Sequence, residues 1–325
     1  VGPRFDELRA GGIAVHALPI RHLFDLNGTR RLRQVLNELQ PTVIHAWGSF
    51  ATRITRFVLP GPGVANRSPR LVVSGVATPD AGWRGWLAIR QLRRADRVVP
   101  ALRIEGERYR RFGVSSDRLT LIGPSSPAVS HKVDRAELCQ SLGIPLTSQL
   151  LLSGGQSERG IGPKDAIVAF DMLRYESPNL HLIVFGAGKE AGALESFGRA
   201  LAFDDYRIRF AKCVPERASA VQFACAVLIT QTSGGVEEAL EAMAAAKPIV
   251  GWQTPELAEI VEDGVSGFLV PLGDRATLAA RTRKLLDEPE LATRMGEAGR
   301  TRVNERFTIH RMVEQYARLY EYLAQ

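Results

Sequence analysis

Apolar residues fall along the chain in short runs, with amphipathic stretches between them. In the first third the runs are Ala14–Leu18, Val43–Ala46, Leu71–Ser74, Arg97–Val99 and Thr120–Ile122. Short runs bounded by turn formers predict β-strands. Between them, Gly28–Leu39 places Leu32, Val35, Leu36 and Leu39 at spacings of three and four. That period predicts a helix with one apolar face. A second helix is expected over Gly85–Arg94. Gly123–Ser130 is rich in proline and serine and has no period, which marks a connector.

A second series follows. Its predicted strands are Leu150–Ser153, His181–Phe185, Ile208–Phe210, Val227–Ile229, Ile249–Gly251 and Gly267–Val270. Its predicted helices include Lys164–Tyr175, Glu190–Leu201, Glu237–Ala245, Thr254–Asp263, Asp274–Asp287 and a closing Thr308–Ala324. Alternation of this kind predicts an α/β fold with parallel sheets. The chain has 325 residues, and at ~100–200 residues per domain two domains are expected. Their bounds are read as 1–123 and 149–307, joined by a linker over 124–148, with 308–325 a C-terminal helix.

Composition adds one asymmetry. Residues 1–123 hold 20 arginines, no lysine and 9 acidic residues, a net +11, while 124–325 carry −4. The first half is therefore expected either to face an anionic partner or simply to present a basic solvated surface. Anionic membrane or a phosphorylated acceptor would suit it. No nucleic-acid motif accompanies the charge, so nucleic acid is not expected. Cys139, Cys213 and Cys225 are odd in number and lack metal-ligand spacing. They read as reduced thiols of a cytoplasmic protein, and no metal is expected. No apolar run reaches the ~18–20 residues of a membrane span.

The most informative segment is Ser233–Gly251. A glycine pair, Gly234 and Gly235, precedes the helix expected over Glu237–Ala245, Val236 joins them among the candidate donor-binding residues, and Lys247-Pro248 leads into a strand. Amides at a glycine-rich helix start can cradle a diphosphate, because unpaired donors and the helix dipole point the same way. Glu237 and Glu241 are four apart and share a face. A carboxylate there can bind sugar or ribose hydroxyls, or merely complement the dipole.

This segment resembles the donor-binding motif of the family-4 retaining glycosyltransferases, which have the GT-B fold. Leu240–Ala244 and Lys247–Val250 match closely, and Glu241 takes the place of the ribose-binding glutamate. Ser233 stands where the family has a glutamate that contacts the transferred sugar. Leu182–Gly188, Asp205–Phe210, Val214–Glu216, Glu259–Asp274 and Glu305–Phe307 extend the resemblance over about residues 150–325. It implies that Gly186 and Val214 lie near the nucleotide. The family has an arginine and a lysine that neutralise the departing diphosphate, where charge grows in the transition state. Here Gln156 replaces the arginine, and either Arg159 or Lys164 is the second cation, Arg159 preferred. Gly186–Ala191 also fits a dinucleotide fingerprint, which a plain strand-to-helix turn explains equally well.

In the first half, Pro41–Gly48 resembles the family's acceptor-side strand. His45 keeps its histidine, and Trp47 could wall a sugar ring or a lipid. Trp83–Arg94 mixes aromatics with arginines, as interfacial and ordinary surface helices both do. Two strands and a helix of the family's opening lie before Val1 in the resemblance, so the first domain is expected to be incomplete. The resemblance implies two facing Rossmann-like domains, the last helix returning to the first. It implies transfer of a sugar from a nucleotide-diphosphate donor to the hydroxyl of a glycan or lipid-linked acceptor, with retention. It implies bacterial envelope polysaccharide synthesis at the inner face of the plasma membrane, with no cofactor beyond the donor. Ser233, Gln156 and the missing opening keep a second reading in view: a non-catalytic relative that binds a glycan or partner. A nucleotide-sugar epimerase is the third.

Overall fold

The computed structural model describes residues 5–22, 25–59, 69–76, 92–93, 95–126, 134–154, 161–185, 191–202, 207–211 and 220–325. The chain divides into two compact units. One is Val1–Ile122 together with Gln315–Gln325, and the other is Gly123–Glu314.

The first unit runs through α1 (Phe5–Ala10), α2 (Leu26–Leu39), β1 (Val43–Trp47), α3 (Gly48–Val58), β2 (Arg70–Ser74), β3 (Arg97–Val99) and α4 (Arg103–Arg111). α2 begins where Asp25 accepts from the Gly28 amide at 3.0 Å. The amides of Gly28 and Arg21 hold the Asp25 carboxyl below its ordinary range. The strands pair in parallel in the order β1-β2-β3. Ala46, Leu71, Val73, Val98 and Tyr109 fill the core beside them. Tyr109 is buried, and its hydroxyl donates to the Val76 carbonyl at 2.7 Å.

Two strand expectations change here. Ala14–Leu18 forms no strand; none of the described strands pairs with it, and an apolar run without a neighbour has no ladder to join. Residues 120–122 lie beside β3 without becoming a full strand. Thr120 N donates to Val98 O at 3.1 Å and Ile122 N to Pro100 O at 3.2 Å. Pro100 has no N–H to return, so the ladder is one-sided there. The helix expected over Gly85–Arg94 lies outside the described residues, apart from Leu92 and Arg93.

The second unit contains α5 (Arg135–Leu142), β4 (Gln149–Gly154), α6 (Ile161–Leu173), β5 (Leu180–Phe185), α7 (Ala191–Ala202), β6 (Ile208–Ala211) and β7 (Ala224–Ile229). It continues with α8 (Val236–Ala244), β8 (Ile249–Trp252), α9 (Pro255–Ile260), β9 (Gly267–Val270), α10 (Arg275–Asp287) and α11 (Pro289–Arg306). α12 (Ile309–Ala324) ends the chain, and its residues from 315 onward belong to the first unit.

Residues 134–148, expected as bare linker, are part of this unit. Asp134 caps α5, Leu138 and Cys139 are buried, and Arg209 Nε donates to Leu142 O at 2.8 Å. A helix this short shows no clear period in sequence. The six strands are all parallel, in the order β6-β5-β4-β7-β8-β9. β5 is buried at every position, as a parallel strand covered on both faces must be. Leu151, Phe170, Leu182, Leu228, Trp252 and Leu278 belong to one core cluster. The first strand in sequence, β4, is central, so the order reverses between β4 and β7.

Candidate functional site

In an open parallel sheet, ligands lie beyond the carboxyl ends of the strands where the order reverses. Here that place is the end of β4, at Gly154, and the loop after β7. The two are tied together. Gln231 Nε2 donates to the Gly154 carbonyl at 2.5 Å, and the Thr230 hydroxyl donates to the Gly162 carbonyl in the first turn of α6. Gly162 allows that approach, since a Cβ there would sit 3.2 Å from the Gln231 backbone. Gln231 is 7% exposed, and its Oε1 has no hydrogen-bond partner among the described residues. An unmet acceptor of this kind costs about 1–3 kcal/mol.

Beyond Gln231 the chain turns through Ser233, which is exposed, into Gly234 and Gly235. Their φ values are +83° and +78°. Gly235 is the N-cap of α8 and offers no side chain to cap it. The first helical bond is Ala239 N to Gly235 O at 3.0 Å. The amides of Val236 and Glu237 therefore have no acceptor within the helix and point out of its positive end. Glu237 is exposed at this end. Glu241, about one turn deeper, is 6% exposed. The arrangement is a set of backbone donors at the switch point, with a buried carboxylate behind them.

The expected cations divide. Lys164 lies in α6, its ammonium over the Phe197 ring of α7 at 5.7 Å. The next residue, Asp165, is buried and pairs with Arg275 Nε at 2.6 Å. Arg159, Gln156, Gly186 and Val214 lie outside the described residues. Among the described residues, no group of His, Cys, Asp or Glu could hold a metal ion, and no helix is long and apolar enough to cross a membrane.

His45 and Trp47 belong to the first unit, at the carboxyl end of β1. His45 Nδ1 shares a hydrogen bond with the Tyr320 hydroxyl at 2.6 Å, and Nε2 one with Ser74 Oγ at 2.7 Å. Both ring nitrogens are engaged, and burial lowers the His45 pKa from 6.5. The ring is thus a neutral, oriented imidazole. Tyr316 completes the cluster, its ring 5.4 Å from His45 and 6.0 Å from Trp47. Burial raises the pKa of both tyrosines. Trp47 is 61% exposed. Its indole Nε1 would be 3.0 Å from a Cβ at Gly75, so the glycine makes room for the ring.

Sequence reasoning missed Thr230, Gln231, Ser74, Tyr316 and Tyr320. Polar residues directly after an apolar strand were the available signal for the first two. The four-residue spacing of the tyrosines was the signal for the last two.

The family model described as glycosyl transferases group 1 matches residues 134–302. N-acetyl-alpha-D-glucosaminyl L-malate synthase of Bacillus anthracis is 26% identical over 193 residues, covering 59% of this chain and 50% of that protein. D-inositol 3-phosphate glycosyltransferase of Corynebacterium efficiens is 27% identical over 200 residues, covering 57% and 47%. The chain spans about half the length of the curated relatives it matches. Among solved structures, Anabaena Alr3699/HepE in complex with UDP-glucose superposes with a TM-score of 0.83 at 18% identity, covering 98% of this chain and 89% of that one. Sucrose-phosphate synthase from Thermosynechococcus elongatus gives 0.78 at 20% identity, covering 96% and 82%. These likenesses show the fold, which is GT-B.

Proposed function

Starting from a chain that belongs to the glycosyl transferases group 1 family, we propose that it transfers a sugar from a nucleotide-diphosphate donor to an acceptor hydroxyl, with retention at the anomeric carbon. One observation carries the donor site: the N-terminus of α8, led by Gly234 and Gly235, lies at the strand-order reversal, with Glu241 buried behind it. The amides take the diphosphate and Glu241 the ribose hydroxyls. Arg159 neutralises the diphosphate as it leaves, in preference to Lys164, whose ammonium is held over Phe197. Backbone donors and one cation suffice for that charge, so no metal is required. Ser233 and Glu237, exposed at the same loop, face the donor sugar. Trp47 offers a ring face to a glycan or lipid-linked acceptor, and His45 acts through its orientation.

Glu241→Gln keeps the shape and removes the charge. UDP binding followed by calorimetry should weaken about tenfold or more, as for a lost charge-assisted hydrogen bond. Unchanged affinity would refute the site. Turnover of a panel of nucleotide sugars then separates an enzyme from a non-catalytic binder. The anomeric configuration of the product, read by proton NMR, tests retention.

A further inference from the structure

The aromatic cluster at the carboxyl end of β1 is more ordered than its exposure alone would give. Trp47 is 61% exposed, and an exposed side chain ordinarily moves among several rotamers. Its indole is nevertheless held by three neighbours. The His45 ring lies 5.0 Å from it and the Tyr316 ring 6.0 Å, centroid to centroid. Both meet it tilted, at 48° and 46°, so neither lies flat over its face. The third neighbour is backbone. Gly75 has φ +63°, and a Cβ there would stand 3.0 Å from the indole Nε1 and 3.2 Å from Cδ1.

The rings that hold Trp47 are themselves fixed. Tyr316 and Tyr320 are four apart on α12, and their centroids lie 5.9 Å from each other. The Tyr320 hydroxyl and Ser74 Oγ take the two nitrogens of His45, at 2.6 Å and 2.7 Å. A neutral imidazole carries one N–H, so it donates to one of these hydroxyls and accepts from the other. Ser74 Oγ also shares a 3.3 Å hydrogen bond with the Tyr316 hydroxyl. Both tyrosines thus join one network through His45 and Ser74, and a satisfied network of this kind rigidifies its members. These polar atoms are spent on one another, and what the cluster presents outward is the indole. A ring held in one attitude has already given up the rotamer freedom that stacking a ligand would otherwise cost.

We propose that Tyr316 is a positioning residue for the acceptor: with His45, it fixes the Trp47 indole in the attitude on which the C–H face of an acceptor sugar stacks. The inference rests on the reading of Trp47 as the acceptor's wall, and it adds that the wall is set from α12. Tyr316 touches Trp47, not the sugar. Its loss frees the indole, and sugar binding must then order that ring.

Protein labelled with 5-fluorotryptophan reads the indole directly by fluorine NMR, the Trp47 resonance being the one absent from Trp47→Phe. A panel of methyl pyranosides then titrates it. In the native protein Trp47 should give one resonance, displaced by the sugars that bind. Tyr316→Leu should shift or broaden that resonance before any sugar is added. It should also weaken the titration about two- to tenfold, the range of one aromatic pair. Tyr316→Phe keeps the ring and should restore both. Leu319→Ala removes a buried side chain of the same helix from outside the ring cluster. It should lower thermal stability and leave the Trp47 resonance in place. A native resonance and a native titration in folded Tyr316→Leu overturn the proposal while the wall reading stands. A native resonance that no pyranoside moves overturns the wall reading, and the proposal with it. Equal displacement by Leu319→Ala and Tyr316→Leu would make Tyr316 a packing residue only, which also overturns the proposal. Should Tyr316→Leu fail to fold, Tyr320→Phe decides. It removes only the hydroxyl on His45 Nδ1 and should displace the same resonance, and an unmoved resonance sinks the positioning role.

Discussion

At Gly235 the backbone takes φ +78°, and an added Cβ would lie 2.6 Å from Ile229 Cγ2. Only glycine meets both conditions, and a glycine pair before a helix was visible in the sequence for that reason. Glu241 was visible too, through its motif, although its burial was not. Gln231 shows the opposite case. Its hydrogen bond to Gly154 joins residues 77 positions apart in the chain, and no local pattern encodes a contact of that range. His45 lies between. Its place at a strand end was legible, whereas the tyrosine on its Nδ1 comes from 275 residues away. Partial burial of the ring disfavours its charged form, so its folded pKa is below the 6.5 of a free imidazole. The unfolded chain then binds the proton more readily, and stability falls as pH drops from about 6.5 through the folded value. Unfolding free energy measured from pH 7.5 to 5 should decline in the native protein. His45→Gln should decline less, and parallel curves would show that His45 does not titrate with folding.

Element by element, helices with large apolar residues were the easiest to read. α11 was missed although it packs closely on α8. Its buried face is Met295, Gly296, Gly299 and Val303, and two glycines in that face give no hydrophobic signal. The glycines are there because α11 nearly touches α8 and the turn that follows it. A Cβ on Gly296 would stand 1.9 Å from the Ala246 carbonyl oxygen, and one on Gly299 would stand 3.1 Å from Met243 Cγ. Gly296→Ala gains helix propensity of roughly 1 kcal/mol. Backbone has to move to admit the methyl group, at a cost of about 1–3 kcal/mol for an overpacked contact and more where backbone cannot yield. The clash should win, lowering the melting temperature in thermal unfolding. UDP affinity should fall with it, because α8 carries Glu241. A variant as stable as the native protein would mean that α11 slides without strain.

For the molecule as a whole, the parallel architecture and the second unit's strand series were legible from alternation alone. The bounds of the units were less so, because residues 134–148 pack through a short helix and residues 315–325 join a unit whose other members end at Ile122. Those last residues supply Tyr316, Leu319 and Tyr320 to the first unit. Burying one leucine contributes about 1.5–3 kcal/mol, and each aromatic pair about 0.5–1.5 kcal/mol more. Deleting residues 315–325 should therefore remove hydrogen-exchange protection from β1, β2 and β3 while β4 to β9 keep theirs. Full protection of β1 in the truncated chain would show that α12 is dispensable to that unit. A consequence reaches into biosynthesis. Domains generally fold as they leave the ribosome, N-terminal first. Here the first unit lacks a wall until residues 315–325 are made, after all of β4 to β9, so the second unit is free to mature first.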